Sequence, residues 1–456
     1  MTAQFYISAA HKSSGKTTLS IGLGAALSRS GLNVQGYKKG PDYIDPAWLS
    51  KATGAAVYNL DFNTQTQQEI INTYQNHGFN KDVLMVEGNM GLFDDTDPNG
   101  LSSNAALAKL LNIPVILVID CIGTSRGVAP LLMGYQQFDS EINYAGVILN
   151  KVANASHEEK LLAAVQNYTD FKVLGVMEKD SKLIIPERHL GLVPANESTQ
   201  TAEAIDYLAT KVKQRIDINA LTETTNKPIN WPAPGIIPTS MPDETVTIAI
   251  ARDSAFGFYY PDDLEAMQQA GAELVFFDTM KDKQLPKADG LFIGGGFPET
   301  QMQQLEANSE LRSQIKTAIK NGLPTYAECG GLMYLCDSIQ WQQQQNQMVG
   351  AIPATIQMHR KPQGRGLVKY TETNNSIWPQ KAPKQEYNAH EFHYASMDLK
   401  QSLEFAYDIT RGFGINGTQD GVQMNNLIAS FTHLRNTEAT PWVERFISFV
   451  RQKAKS

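Results

Sequence analysis

A run of eight residues near the start of the chain, AHKSSGKT at 10–17, contains most of a phosphate-binding loop. The P-loop pattern is a glycine, four further residues and then Gly-Lys-Ser/Thr; Gly15, Lys16 and Thr17 match it, whereas Ala10 replaces the first glycine. Backbone amides of such a loop point at phosphate oxygens, and the following helix adds positive potential. We therefore expect nucleotide binding, with Lys16 at the β- and γ-phosphates and Thr17 at magnesium, against the alternative of a structural βα turn. The predicted nucleotide-binding residues of the loop are Ser14, Gly15, Lys16, Thr17 and Thr18.

A second candidate site lies in PTYAECGGLMYL, where an apolar strand leads through a sharp turn into a helix. Such an elbow exposes the thiol of Cys329 as a nucleophile and aims the amide of Gly330 at a developing oxyanion. His433, at the end of the apolar run IASFTH, is the candidate base. Gly295 and Gly296 in LFIGGGFPE can supply further amides where a Cβ would clash. A lone cysteine is more often a small buried hydrophobe, but the elbow and its glycines favour catalysis.

Polar side chains end several predicted strands, at the edge where parallel sheets bind their ligands. Glu87 ends VLMVE and is a candidate magnesium ligand, directly or through water. Asn150 ends AGVILN and has the amide geometry to read an adenine edge. Asp42 and Asp45 in KKGPDYIDP and Asp94 in GNMGLFDD are expected to meet substrate groups. For each aspartate the alternative is a helix cap.

These motifs need buried strands and covering helices to position them. In the first half of the chain, short β-branched runs alternate with longer helical patterns, and the alternation restarts in the second half. Near-continuous apolar strands separated by helices indicate a parallel sheet covered on both faces. We therefore predict an α/β fold in both halves. The predicted strands are 5–9, 33–37, 82–86, 114–119, 145–149, 172–176, 246–251, 273–277, 290–293 and 324–327, and the predicted helices include 16–29 and 261–270.

A proline-rich segment separates the two halves. Between Lys227 and Asp243 the sequence contains Pro228, Pro232, Pro234, Pro238 and Pro242. Prolines at this density remove amide donors and disfavour any regular element, so the segment is predicted to be a linker. The predicted domains are a P-loop domain at 1–225, a linker at 226–244 and a second α/β domain at 245–450.

Composition excludes several classes of protein. With 456 residues, 42% hydrophobic and 19% charged, the chain is typical of globular proteins of two or three domains. Its net charge of −8 argues against coating nucleic acid or anionic membranes. The longest apolar run, 113–119, is far shorter than the roughly 20 residues that span a bilayer. The start of the chain lacks a signal-peptide pattern, and three cysteines suit a reducing compartment. We expect a cytoplasmic protein that binds neither nucleic acid nor membranes.

Together these motifs resemble the cobyrinate a,c-diamide synthase family. The resemblance covers about residues 3–448 and rests on the degenerate P-loop, KKGPDYIDP, VEGNMGLFD, LFIGGGFPE, AECGGLMYL, HEFHY and THLR. That family joins a dethiobiotin-synthetase-like ATP-binding domain to a class I glutamine amidotransferase domain of the triad type. Its members convert two acetate carboxylates of cobyrinic acid to carboxamides with ATP, Mg²⁺ and glutamine, so the implied partner is a corrinoid-type tetrapyrrole polycarboxylate. A homodimer is left open.

The resemblance also implies residue roles. Cys329 is expected to be the glutaminase nucleophile, with His433 raising its nucleophilicity. ATP is expected to convert the acetate to an acyl phosphate, which ammonia from glutamine then attacks. Many amidotransferases have a glutamate two residues after the histidine, where this chain has Arg435, so the group that orients His433 stays open. The residues implied for substrate handling are Asp42, Tyr43, Ile44, Asp45 and Asp94, and those for metal are Thr17 and Glu87.

Several alternatives stay open. The same amidation could act on sirohydrochlorin, Ni-sirohydrochlorin or sirohaem, which also carry acetate side chains. A P-loop ATPase switch of the partitioning type needs a lysine where this chain has His11, and it leaves the second half unexplained. A cysteine hydrolase or peptidase would be indifferent to ATP. His390 and His393 in HEFHY lack an accompanying Cys/His cluster, so a substrate or domain-interface role is favoured over zinc.

Overall fold

The structure is a computed structural model that describes residues 1–183, 187–188, 191–197, 200–229, 231, 233, 244–380, 382 and 384–455. The chain divides into two compact units, Met1–Ile236 and Ile237–Ser456. Across the described ranges, no helix combines the length and the apolar character needed to cross a bilayer.

The first unit alternates strands and helices as predicted, and the predicted helix 16–29 coincides with α1. Each strand predicted in this half is confirmed to within a few residues at its ends. The strands are β1 (Thr2–Ala9), β2 (Val34–Lys39), β3 (Tyr58–Leu60), β4 (Val83–Glu87), β5 (Val115–Asp120), β6 (Tyr144–Val152), β7 (Val173–Glu178), β8 (Glu187–Arg188), β9 (Gly191–Leu192) and β10 (Asn226–Lys227). The helices are α1 (Lys16–Arg29), α2 (Ile44–Thr53), α3 (Gln67–Gly78), α4 (Asn104–Leu111), α5 (Val128–Phe138), α6 (Ala155–Tyr168), α7 (Thr201–Arg215) and α8 (Ile218–Thr225), with a 3₁₀ turn at Ser181–Leu183.

The main sheet of this unit has the order β3-β2-β4-β1-β5-β6-β7, and neighbouring strands along it are parallel. Both faces are covered, which explains why the strands are apolar throughout. In β1, Phe5 and Ile7 pack in one core with α1, α2 and α7, whereas Tyr6 packs in the opposite core with α3 to α6. Because the strands are parallel, the residues that end them lie along one edge.

The segment predicted as a linker begins with ordered backbone. Strand β10 pairs antiparallel with β1, joining Lys227 to Thr2 and Asn226 to Ala3. This position on β1 is available because β5 pairs with β1 only from Tyr6 onwards. Asn226 and Lys227, which precede the first proline of the segment, therefore pair with the main sheet of the first unit. Pro232, Pro234, Pro238 and Pro242, on which the linker prediction depends, lie outside the described residues.

The second unit is also α/β, and its predicted strands are likewise confirmed. Its strands are β11 (Val246–Ala251), β12 (Phe256–Phe258), β13 (Ala272–Phe277), β14 (Gly290–Ile293), β15 (Gly295–Gly296), β16 (Thr325–Glu328), β17 (Cys336–Trp341), β18 (Gln344–Gln347), β19 (Ile352–Met358), β20 (Gly364–Glu372), β21 (Glu386–His393), β22 (Ala395–Leu399), β23 (Glu404–Arg411), β24 (Gln419–Met424) and β25 (Leu427–Ser430). Its helices are α9 (Pro261–Gln269), α10 (Met302–Ala307), α11 (Ser309–Lys320), α12 (Gly330–Leu335) and α13 (Trp442–Ala454), with a 3₁₀ turn at Pro298–Gln301.

The large sheet of this unit has two parts. Strands β13-β11-β14-β16-β25 run parallel, and β24-β23-β20-β21 continue the same sheet in antiparallel pairing. Two buried clusters lie against it, one that includes Leu332 and Leu427 and another that includes Tyr326 and Trp442. The antiparallel part, which the sequence reading did not predict, brings β21 beside the residues that follow β25.

Candidate active site

The phosphate loop connects β1 to α1 through a turn that requires glycine. Gly15 has a φ of 90°, and a Cβ on it would lie 2.2 Å from Nδ2 of Asn150. That Nδ2 donates to the carbonyl oxygen of Ser14 at 2.7 Å, while the buried Ser14 hydroxyl donates to the His11 carbonyl at 2.8 Å. Asn150, predicted to read adenine, thus braces the loop in this structure, and its contact with a base stays a prediction.

The first turn of α1 places the predicted phosphate and metal residues together. Lys16 is buried, and burial lowers its pKa to about 8, with the nearby Lys38 ammonium acting in the same direction. The Thr17 hydroxyl donates to Oε1 of Glu87 at 2.6 Å and lies 3.1 Å from Oδ2 of Asp45. Thr18 follows in the same turn and is half-buried. These contacts bring α1, β4 and α2 to one point at the sheet edge.

Lys38, which the sequence reading did not single out, lies at the centre of this site. Its Nζ is 2.5 Å from Oδ2 of Asp45, 3.1 Å from Oε1 of Glu87 and 3.7 Å from Oδ2 of Asp42. Its side chain is only 3% exposed. Burial lowers the pKa of Lys38, but the three carboxylates outweigh burial and raise it well above its usual value. The sequence feature that could have predicted this role is a pair of lysines at the end of a strand, followed within a few residues by Asp42 and Asp45.

Asp42 has the capping role that the sequence left as an alternative. Its Oδ1 accepts hydrogen bonds from the amides of Ile44, at 2.9 Å, and Asp45, at 3.1 Å, where α2 begins. Burial and the neighbouring charge of Asp45 raise the pKa of Asp42 to about 7. Tyr43 and Ile44, predicted to meet substrate, are half-buried in the same turn. The cap therefore fixes the loop, while the other carboxyl oxygen faces Lys38.

Asp94 belongs to the loop that follows β4 and touches the phosphate loop. Its Oδ2 accepts from the Gly91 amide at 3.0 Å. Gly91 itself packs so closely on the phosphate loop that a Cβ on it would lie 2.7 Å from the Ala10 carbonyl oxygen. The Asp94 charge acts on Lys16, where it favours the protonated ammonium. The structure thus brings Asp94 to the same site as the other predicted acidic residues.

One carboxylate oxygen at this site fits a metal ion. Oε2 of Glu87 is buried without a hydrogen-bond partner among the described residues, and burial raises the pKa of this carboxyl group. It lies in the same cluster as the Thr17 hydroxyl and Asp45, and these hard oxygens are the ligands that Mg²⁺ prefers. In the described part of the chain no three His, Cys, Asp or Glu side chains form a self-contained metal site. A magnesium ion here would therefore complete its shell with nucleotide phosphates and water.

In the second unit, Cys329 forms the predicted elbow between β16 and α12. Its φ of 45° and ψ of −101° are unfavourable for a residue with a Cβ, as expected where a nucleophile is held on a sharp turn. The Cys329 amide donates to the Ser430 carbonyl at 2.7 Å, which ties the elbow to β25. Only glycine fits behind it, because a Cβ on Gly331 would lie 2.1 Å from the Ile293 carbonyl oxygen.

The glycines predicted to form the oxyanion pocket converge on this elbow. A Cβ on Gly330 would lie 2.9 Å from the amide nitrogen of Gly296. A Cβ on Gly295 would lie 2.6 Å from Cε1 of His433, and one on Gly296 would lie 1.9 Å from the Ala255 carbonyl oxygen. Strand β15 is held there by pairing with β12. The close backbone approach explains why three glycines are needed around the predicted nucleophile and base.

His433 contacts Cys329 on one side and Glu328 on the other. Nδ1 of His433 is 3.3 Å from Oε2 of Glu328, and both side chains are 4% exposed. Burial lowers the pKa of His433, but hydrogen bonds to Cys329 and Glu328 outweigh burial and raise it to about 10. Oε1 of Glu328 accepts from the Tyr326 hydroxyl at 2.6 Å and from the Leu434 amide at 2.9 Å. Glu328, which the sequence reading missed, therefore stands where an orienting acid is needed.

The residues around His433 explain two further features of the sequence. Arg435, in the place of the usual glutamate, is buried and pairs with Asp262 at 2.7 Å. His390 stacks on His433 with ring centroids 4.9 Å apart, and their backbones form a β-bridge. Burial, with the nearby cations, lowers the pKa of His390 well below its usual value. His393 lies apart from this pair, with Nδ1 2.8 Å from the Ala395 carbonyl oxygen.

Comparison with known proteins gives one domain match in each half of the chain. The CobQ/CobB/MinD/ParA nucleotide binding domain matches residues 7–193, and the CobB/CobQ-like glutamine amidotransferase domain matches residues 247–440. The cobyrinate a,c-diamide synthase of Magnetococcus marinus is 41% identical, covering 99% of this chain and 97% of the relative. Enzymes of the same name from Archaeoglobus fulgidus and Caldanaerobacter subterraneus are 36% and 35% identical, over 96% and 98% of this chain and 95% and 98% of their own length.

The phosphate loop at Gly15 falls within the matched nucleotide binding domain, and the Cys329 elbow falls within the matched amidotransferase domain. The relatives are aligned over nearly their whole length, so the match includes both units and not one shared module. From the similarity of its two domains and of its full length, we conclude that this chain belongs to the cobyrinate a,c-diamide synthase family.

Proposed function

We propose that this chain uses ATP and glutamine to amidate the a and c acetate carboxylates of cobyrinic acid, in cobalamin biosynthesis. The observation that carries the proposal is the presence, in one chain, of two sites: a phosphate loop beside a buried lysine–carboxylate cluster, and a cysteine elbow beside a buried histidine that contacts a carboxylate. The substrate is inferred from the relatives, which are named cobyrinate a,c-diamide synthase and are 35–41% identical to this chain.

The first unit activates the acid. A carboxylate is a poor acyl donor because attack by ammonia would have to expel oxide. In the proposed reaction a carboxylate oxygen of the acetate attacks the γ-phosphorus of ATP, the bond from phosphorus to the β-bridging oxygen breaks, and an acyl phosphate forms. Lys16 offsets the charge that develops on the transferred phosphoryl group. Lys38, buried and charged, is positioned to bind the incoming acetate when the nucleotide and its metal engage Glu87 and Asp45.

Magnesium is proposed as the resident cofactor of this reaction. Thr17, Glu87 and Asp45 would hold the ion, which neutralises negative charge on the phosphates. The buried, unsatisfied Oε2 of Glu87 supports this assignment. Ser14, Gly15 and Thr18 support the phosphates through the loop and the first turn of α1. Asp42, Tyr43, Ile44 and Asp94 shape the substrate side of the same site.

The second unit supplies the nitrogen. The Cys329 thiolate attacks the side-chain amide carbon of glutamine, and the amides of Gly330 and Gly296 stabilise the oxyanion. The proton held by His433 passes to the leaving nitrogen, so that ammonia departs and a thioester remains, which water hydrolyses to glutamate. Glu328 keeps Nδ1 of His433 occupied, so the other ring nitrogen faces the thiol. Ammonia then attacks the acyl carbon and displaces phosphate.

We assign amidoligase activity to 1–225, a linker to 226–244 and glutaminase activity to 245–450, and we place the protein in the cytoplasm. ATP and glutamine are supplied there, and a reducing compartment keeps the buried thiols Cys121, Cys329 and Cys336 free. The phosphate loop and the elbow lie on separate units. Each activity can therefore be removed by mutation without the other.

The experiment that tests the proposal is turnover by the purified full chain with ATP, Mg²⁺ and glutamine. Cobyrinic acid, sirohydrochlorin, Ni-sirohydrochlorin and sirohaem are offered separately, and products are identified by mass spectrometry. We expect two successive amidations of cobyrinic acid, each accompanied by one ATP hydrolysed to ADP. If only another of these macrocycles is amidated, the proposed ATP- and glutamine-dependent amidation stands and the proposed substrate is replaced by that macrocycle. Hydrolysis of glutamine with no amidated product from any of the four would overturn the proposal.

A further inference from the structure

Lys39, the last residue of β2, is buried, and the proposed reaction assigns it no role. The residue is 7% exposed. In the part of the chain that the structure describes, its Nζ makes one hydrogen bond, to Oδ1 of Asn89 at 3.3 Å. An ammonium group has three donors, and burying it with a single hydrogen bond to a neutral amide is costly. A buried ammonium with unused donors can bind an anion.

The neighbouring lysine shows what complete pairing looks like. Lys38, one residue earlier, has three carboxylates within 3.7 Å. Successive side chains of a strand point to opposite faces of the sheet, so the two ammonium groups serve different places. Burial lowers the pKa of Lys39, with Asp95 and Asp61 acting against burial from beyond hydrogen-bond distance. The two lysines are therefore suited to binding different carboxylates.

The surroundings of Lys39 indicate the kind of ligand. Asn89 stands at the start of the loop that carries Asp94, and a Cβ on Gly40 would lie 3.3 Å from its Nδ2. The next residue, Met90, is 40% exposed. A cation and an amide donor therefore lie beside an exposed apolar side chain, at the edge of the sheet where the phosphate loop also lies. This combination suits a carboxylate attached to a large apolar body.

We propose that Lys39 and Asn89 bind a carboxylate of the tetrapyrrole polycarboxylate other than the one being phosphorylated. The inference rests on the function proposed above and names a binding subsite for its substrate. An ion pair there satisfies the buried ammonium. It also fixes the macrocycle at two points, because the reacting acetate is held at Lys38 on the opposite face of the strand. The Asn89 amide donates the second hydrogen bond to the bound carboxylate.

The test compares Lys39→Met and Lys39→Arg with the matched control Lys51→Met, which removes an exposed lysine from α2. With cobyrinic acid, ATP and glutamine, Lys39→Met should raise the KM for cobyrinic acid about tenfold or more, as loss of a charged hydrogen bond implies. The KM for ATP and the rate of glutamine hydrolysis should stay within about twofold of those of the unaltered protein. Lys39→Arg should recover part of the loss. Equilibrium dialysis of cobyrinic acid without ATP should show the same weakening for Lys39→Met.

Each other outcome is decisive. A higher KM for ATP with unchanged cobyrinic acid binding would make Lys39 a phosphate contact and overturn the inference. Equal effects of Lys39→Met and Lys51→Met, or no effect, would also overturn it while leaving the proposed function intact. Thermal unfolding identifies a misfolded variant, in which case Lys39→Gln is measured instead. If the unaltered protein amidates none of the four macrocycles, the proposed function fails and the inference fails with it.

Discussion

Oε2 of Glu328 lies 3.3 Å from Nδ1 of His433, although 104 residues lie between the two in the sequence. The carboxylate that would orient the histidine in the proposed reaction is therefore on the residue directly before Cys329, the proposed nucleophile. Many amidotransferases have a glutamate two residues after the histidine, whereas this chain has Arg435 there, which pairs with Asp262. One short segment, the end of β16, thus supplies both the acid and the thiol.

Replacing Glu328 with Gln should impair glutamine hydrolysis by roughly two to four orders of magnitude, because the amide cannot stabilise the imidazolium or hold its tautomer. Amidation with ammonium should stay within about twofold. The high-pH limb of the glutaminase profile should move to lower pH, since Glu328 helps to raise the pKa of His433. Tyr326→Phe, which removes a hydrogen bond to the other carboxyl oxygen, is the control. Normal glutaminase activity in the Gln variant would remove Glu328 from the mechanism.

Cys329→Ser should abolish amidation supported by glutamine, because the serine hydroxyl is not ionised at neutral pH. High ammonium should restore amidation, since the first unit still forms the acyl phosphate. Lys16→Ala should abolish amidation with either nitrogen source by at least roughly 100-fold, because phosphoryl transfer fails. The measurement is product formation with each nitrogen source. If a folded Cys329→Ser protein fails to use ammonium, the division of labour between the units is wrong.

Lys38→Met should abolish amidation with both nitrogen sources and should lower the free energy of unfolding by about 3–5 kcal/mol, because it leaves buried carboxylates unpaired. The double variant Lys38→Met with Asp45→Asn removes one of those charges and should recover part of the stability. It should not recover activity, because no cation then meets the acetate. Chemical denaturation and turnover are measured on the same preparations. A stable double variant with normal turnover would show that Lys38 is structural only.

The affinity of the free protein for ATP should fall as the pH rises through about 8, where Lys16 loses its proton. Above this pKa, binding the phosphates must first take up a proton, so Kd should rise by up to about tenfold per pH unit. Calorimetry at pH 9 in two buffers of different ionisation enthalpy should detect that uptake. Lys16→Arg, whose guanidinium stays charged, should show no uptake. An unchanged Kd from pH 7 to 9.5 in the unaltered protein would contradict this prediction.

Stability should depend on His433 at alkaline pH. Its folded-state pKa of about 10 exceeds the unfolded value of 6.5, so the folded chain holds the proton more tightly. The resulting stabilisation is fully present below about pH 6.5 and is lost as the pH rises towards 10. The melting temperature should therefore fall more between pH 6.5 and 10 in the unaltered protein than in His433→Gln. Parallel curves for the two proteins would argue against the raised pKa.

Gly295→Ala should remove glutaminase activity while sparing amidation with ammonium. The added Cβ would lie 2.6 Å from Cε1 of His433 and would displace the imidazole from Cys329. A fall of roughly 100-fold or more is expected, since misplacement by about 1 Å costs that much. Gly134→Ala, in α5 with no atom within 4 Å of the new Cβ, is the matched control. A fully active Gly295→Ala protein would mean that the His433 ring can shift without loss.

The local sequence pattern was enough to predict most strands of the parallel sheets and the motifs at the ends of these strands. The helix at 16–29 was predicted to the residue because the phosphate loop marks its start, and the strands that end at Glu87 and Glu328 were predicted from their apolar runs. The glycines at 295, 296 and 330 were placed near the thiol because no side chain fits there. The antiparallel strands β20 to β24 were not predicted, since pairing between distant strands leaves little trace in local sequence.

The amino-acid sequence by itself determined the two α/β units, the phosphate loop, the Cys329 elbow and, through shared motifs, the family. These follow from short-range rules, because strand, turn and helix signals lie within a few neighbouring residues. Tertiary structure alone decided that Glu328 lies beside His433, that Lys38 contacts three carboxylates, that Asn150 hydrogen-bonds to the phosphate loop and that Lys39 pairs with Asn89. Such contacts join chain segments that only folding brings together, and burial gives them their strength by excluding water.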